Sequence, residues 1–222
     1  MEYAIKYTLE LRDPVSAGTH YMAAAASLAA LPFIICNRAV HHAGVRSIVG
    51  CIIFVLSMIL LYTASGIYHT MMLPEKERMV YKKVDHLMIF VLIAGSYTPI
   101  CLTILYGHGG LILLTCIWIL AIAGMVFKLF WVTCPKWVSS VIYITMGWLV
   151  VFAFRPLFKY TPLPGFILLL AGGIIYTIGG VIYALKLSPF NGRHPYFGSH
   201  EIFHVLIMLG NLLHFIMIYL YC

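Results

Sequence analysis

Seven stretches of mostly apolar residues, at about 18–37, 46–69, 84–105, 109–127, 138–154, 164–185 and 200–221, leave this chain few folds to choose from. A hydrocarbon layer roughly 30 Å thick is crossed by about 20 apolar residues in a helix. Only helices and closed barrels satisfy their backbone groups inside lipid, and these runs lack the alternation of a barrel strand. The expected fold is therefore all-α, a polytopic bundle of seven transmembrane helices. The fifth run is the short one and could lie flat or cross with little tilt. Composition agrees: 63% of the 222 residues are hydrophobic and 9% charged, too few polar groups to cover a soluble core. The expected organisation is a short cytoplasmic segment, 1–17, followed by one seven-helix domain, 18–222. No signal peptide is expected, because Glu2, Glu10 and Asp13 precede the first apolar run where a secretory signal carries basic residues.

The formal charge of +7 would suit nucleic acid, but the basic residues flank apolar runs, as the positive-inside bias requires. Lys6, Arg12, Lys76, Arg78, Lys82, Lys83, Lys128, Lys136, Lys186 and Arg193 fall on one side; Arg38, Arg46, Arg155 and Lys159 fall on the other. This distribution puts the N-terminus in the cytoplasm and the C-terminus outside, and no nucleic-acid partner is expected. The six cysteines are scattered without a CxxC pair and read as small packing residues. Pro32 and Pro99 predict kinks in the first and third helices. Gly172, Gly173, Gly179 and Gly180 predict a close-packing face on the sixth.

Ionisable groups inside membrane helices are costly and mark candidate sites. The second helix ends Ser65-Gly-Ile-Tyr-His69, the third opens on Asp85-His86, and the seventh on His200-Glu-Ile-Phe-His204. Alternating helix direction delivers His69, Asp85, His200 and His204 to one membrane level. His200 and His204 stand one turn apart, about 6 Å along the axis. Singly, His69 reads as an interfacial residue and Asp85 as a partner for the helix dipole. Jointly they read as a metal centre. Three imidazoles with one open position are the ligand set of catalytic zinc. His69, His200 and His204 are the expected ligands; Asp85 could act on a bound water or bind the ion itself. Ser65, one turn before His69, would support the site. His20, His41, His42, His108 and His194 are expected in solvent, and His214 as a hydrogen-bonded bundle residue. His86 points away from Asp85 and is not counted as a ligand. His200–His204 also satisfies H-E-x-x-H, but a metalloprotease needs a third ligand in a later helix, and only His214 follows.

The set Ser65-x-x-x-His69, Asp85-His86, Gly95-Ser-Tyr-Thr-Pro99 and His200-x-x-x-His204, with the helix Gly172 to Gly179 and the stretch Asn191 to Phe203, resembles the hemolysin III family. That family is grouped with the progestin and adiponectin receptor (PAQR) superfamily and is distantly similar to alkaline ceramidases. The short N-terminus resembles bacterial members. The resemblance implies seven helices with a cytoplasmic N-terminus, a multi-pass place in a bacterial cell membrane, and zinc held by His69, His200 and His204. It implies further that Asp85 orients the metal-bound water and Ser65 supports the site. By similarity to ceramidases the expected activity is zinc-dependent hydrolysis of lipid amide or ester bonds in membrane lipid homeostasis, with membrane lipids as partners. The alternative is a non-enzymatic hemolysin or cytolysin, channel or receptor-like protein in which the metal is structural.

Overall fold

The computed structural model describes residues 11–185 and 198–222. Lys6, Lys186, Arg193 and His194, together with Asn191 to Phe197 of the stretch noted above, lie outside the described residues. Seven helices are long and apolar enough to cross a membrane: α1 (Pro14–Val40), α2 (Val45–Thr70), α3 (Glu75–Leu102), α4 (Gly110–Phe130), α5 (Lys136–Tyr160), α6 (Leu163–Leu185) and α7 (Ser199–Tyr221). No strand occurs among the described residues. The chain is an all-α multi-pass membrane protein.

Sequential helices pack as antiparallel neighbours along α1–α2–α3 and α6–α7, and α1 closes the bundle against α7. α4 leans chiefly on α3 and stays outside the ring that the other six form. The turn into α4 is sharp: Gly107 and Gly109 take φ of +80° and +87°, values open to glycine and strained for other residues. A Cβ on Gly110 would come within 2.6 Å of the Cys101 and Leu105 carbonyl oxygens.

Two helices depart furthest from the expected bounds, for different reasons. α3 begins at Glu75, nine residues before the apolar run, because Glu75 and Glu77 suit a helix N-terminus and the charged first turns extend past the apolar span. α5 neither lies flat nor stops at 154. It is α-helical to Gly147, tightens to a 3₁₀ helix over Trp148–Ala153 and resumes as an α-helix over Phe154–Tyr160. The change of winding frees backbone groups that lipid cannot satisfy. Tyr97 of α3 supplies the partner: its hydroxyl donates to the Gly147 carbonyl and accepts the Val150 N–H at 2.9 Å.

The glycine face expected on α6 exists but is spaced by sevens. Cβ atoms on Gly172 and Gly179 would meet His214 and Leu206 of α7 at 2.4 and 3.3 Å, and one on Gly165 would meet Tyr221 at 2.7 Å. A seven-residue repeat holds one seam between helices that cross at a shallow angle. Gly180 faces Ile144 of α5, whereas Gly173 has nothing within 4 Å. Pro32 and Pro99 lie inside α1 and α3, and Pro99 is the contact that Gly50 of α2 accommodates. Cys51, Cys101, Cys134 and Cys222 are buried, while Cys36 and Cys116 are exposed and so do not pack the interior.

Candidate metal centre

The last turn of α2 and the first turns of α7 meet at the face of the bundle where α1 begins. His69 and His204 are buried at 2% and 3% exposure. The ring centroids of His69, His200 and His204 are 4.4 to 4.9 Å apart. One ligand atom from each lies within 4.8 Å of the others, so this group could hold a metal ion. The sequence reading of these three histidines as neighbours agrees with this geometry.

The donor set fits an ion closely at one edge. The Nε2 atoms of His69 and His200 are 3.3 Å apart, against about 3.4 Å between two nitrogens bound tetrahedrally at about 2.0–2.1 Å. His69 Nδ1 lies 2.9 Å from Asp13 Oδ2. With Nδ1–H donated to that carboxylate, Nε2 turns its lone pair toward His200, the carboxylate–histidine arrangement that supports metal ligation. Among the described residues, Nδ1 of His200, Nδ1 of His204 and both ring nitrogens of His20 are buried without partners. Buried polar atoms are seldom left so, and four in one cluster suit a centre completed by a bound group.

Two participants escaped the sequence reading. Asp13, immediately before α1, is held to His69 twice: by the carboxylate, and by its backbone N–H, which donates to the His69 carbonyl at 3.1 Å. Arg12 adds two donors to the same carboxylate oxygen at 2.6 and 2.8 Å and lies over the Tyr68 ring. The His69 hydrogen bond and then Arg12 hold the Asp13 carboxyl at about 2, below its ordinary value, although partial burial pushes the other way. The second is His20. Expected in solvent, it is 4% exposed and stacks on His204 with centroids 3.9 Å apart and planes 14° off parallel. It sits at an edge of the apolar stretch but on the inward face of α1. His41, His42 and His108 are exposed as expected, and His214 hydrogen-bonds the Leu169 carbonyl at 3.1 Å.

Asp85 and Ser65 are both buried and line the cavity beside the histidines. Ser65 and His69 both lie close to the Asp85 carboxylate. Asp85 stands outside the three-histidine group. Glu201 is occupied elsewhere: Oε1 accepts from Ser16 at 2.9 Å and Oε2 from the Gly198 N–H at 2.7 Å. It caps α7 and ties it to α1, which removes the base that the metalloprotease pattern requires.

From this centre a cavity of about 740 Å³ runs down the bundle. It starts at Asp13, His69, Asp85 and His204 and reaches Leu105, Leu157 and Phe166 at the opposite ends of the helices, mostly between aliphatic and aromatic side chains.

Fold and site together define a seven-helix membrane protein with a three-histidine centre, capable of holding a metal, at one end of a long apolar cavity. The haemolysin-III related family model matches residues 10–215. Hemolysin-3 of Bacillus cereus is 37% identical over 203 residues, 91% of this chain and 88% of that protein. The hemolysin-3 homolog of Bacillus subtilis (strain 168) is 37% identical over 204 residues, 92% and 91% of the two chains. The chain belongs to the haemolysin-III related family and is a multi-pass bacterial membrane protein.

Proposed function

We propose that the protein is a zinc-dependent hydrolase of lipid amide or ester bonds, acting near the cytoplasmic face of the membrane in lipid homeostasis. The observation that carries the reading is the convergence of His69, His200 and His204 on one end of an apolar cavity long enough for an acyl chain. His69, His200 and His204 would hold the ion. Zinc bound there would polarise a carbonyl and make hydroxide available near neutral pH. Asp85 takes a proton from the attacking water at its carboxylate and returns it to the leaving amine or alcohol. Ser65 fixes the carboxylate, and Asp13 fixes the His69 ring. The apolar walls hold the acyl chain and exclude bulk water. The excess of Lys and Arg on the loops beside this end supports a cytoplasmic location.

The test is zinc content by mass spectrometry with lipid turnover measured alongside. Wild type should carry stoichiometric zinc and the His200→Ala/His204→Ala variant should lose it. His204→Ala and Asp85→Asn should both lose turnover, with metal lost mainly in the first. Turnover retained in both would reject the hydrolase reading. A second reading, a cytolysin with a structural metal, draws on the name of the Bacillus cereus relative, Hemolysin-3. It expects zinc and erythrocyte lysis with no hydrolytic activity to lose.

A further inference from the structure

The cavity has a second polar station, across from the histidines, where the first turn of α5 meets α3 and the end of α4. Its centre is Lys128, which the sequence reading counts among the basic residues flanking the apolar runs and which is wholly buried. The ion pairs among the described residues both involve Asp13, so Lys128 has no carboxylate to balance it. Its ammonium donates instead to Ser139 Oγ at 2.6 Å and Cys134 Sγ at 3.1 Å. A buried cation is costly without a counter-charge.

Lys128 stands behind the cavity wall, whereas Cys134, Ser139 and Ser140 line it. Because Lys128 occupies the Ser139 oxygen as donor, the Ser139 hydrogen is left to donate into the cavity or to Cys134, 3.4 Å away. Among the described residues, Ser140, 3% exposed, has no hydrogen-bond partner for its hydroxyl, and His86 has none for Nδ1; both line the same cavity. Lys82 also lines it. The wall therefore presents unused donors backed by positive charge, in a chamber whose other main polar surface is the histidine centre with Asp85 and Ser65. Such a surface recognises an oxyanion.

We propose that Lys128, Ser139, Ser140, His86 and Lys82 form a subsite for an anionic group, a phosphate or carboxylate, on the ligand that fills the cavity. For a lipid ligand, which rests on the hydrolase reading above, the substrate class becomes an acyl lipid with an anionic head. The apolar channel takes its chain and the α3–α5 wall takes its charge. Lys128 is a positioning residue, aiming the Ser139 hydroxyl without reaching the ligand.

The experiment measures binding to the full chain in detergent by native mass spectrometry, with zinc content followed in parallel. The probes are phosphatidic acid, the diacylglycerol with the same acyl chains, and inorganic phosphate. Wild type should bind phosphatidic acid about ten- to hundredfold more tightly than diacylglycerol, as two hydrogen bonds to a charged group allow. Ser139→Ala/Ser140→Ala should erase that preference and keep its zinc, and Ser139→Thr should restore part of it in the Ser140 wild type. Serine-dependent binding of phosphate with no lipid bound would uphold the subsite for a free oxyanion while the lipid reading fell. Equal binding of the two lipids, or a preference that survives in the double alanine variant, overturns the subsite and leaves the hydrolase reading standing.

Discussion

Asp13 acts on the centre without belonging to it. Its carboxylate fixes which His69 nitrogen faces His200, and supports of this kind typically change metal affinity by about ten- to hundredfold. Asp13→Asn should therefore weaken zinc binding by about that factor in a chelator competition, with the helical circular-dichroism signal unchanged. Unaltered affinity would show that the ring is held by packing alone. His69, His200 and His204 were legible in the sequence because helix direction and the four-residue spacing suffice to bring them to one depth. Asp13 was not, because its partner lies 56 positions away and nothing in a charged N-terminal segment marks which residue folds back. His20 and Lys128 show the same limit. Hydropathy reports where an apolar run ends, and both stand near such an end. Which face of the helix turns inward depends on the neighbours it meets.

At the scale of elements, two side-by-side glycines separate packing from propensity. A methyl group on Gly172 would press on the His214 ring at 2.4 Å, and Gly173 is open. Gly172→Ala should destabilise by about 1–3 kcal/mol, the usual range for overpacking. Gly173→Ala should be neutral or stabilise by up to about 1 kcal/mol through helix propensity. Thermal melts in detergent distinguish them, and equal shifts would remove the case for a heptad seam between α6 and α7. The run of glycines was legible as a packing face, but its register was not, since the register is set by α7. The broken α5 was less legible still, because the group that completes it, Tyr97, belongs to α3. Tyr97→Phe leaves the Val150 N–H without its acceptor and should cost about 1–3 kcal/mol. The loss should appear in the melting temperature and leave zinc content intact.

For the whole molecule, an ion bound as proposed would make the centre a clasp as well. α7 packs broadly on α6 and only narrowly on α2, and the three histidines span that narrow contact. A ligand that binds the native state alone stabilises it by RT ln(1 + [L]/Kd), about 2.7 kcal/mol when free ligand is a hundred times Kd. Chelation of the wild type should therefore lower the melting temperature, and zinc should restore it. His200→Ala/His204→Ala should start at the lower value and answer neither treatment. If the two proteins melt together with and without chelator, metal adds nothing to the α2–α7 contact. The bundle would then be held by its apolar seams and by interhelical hydrogen bonds, among them Asp13–His69, Ser16–Glu201 and Asn211–Tyr62. A clasp at one end also leaves the far end of the bundle, around Leu105, Leu157 and Phe166, to side-chain packing and to hydrogen bonds such as Ser47 to the Cys222 carbonyl. Loss of metal should therefore loosen the bundle from the histidine end. Hydrogen exchange of the wild type with and without chelator checks this directly: protection should fall in the last turn of α2 and the first turns of α7, and hold in the first turns of α6.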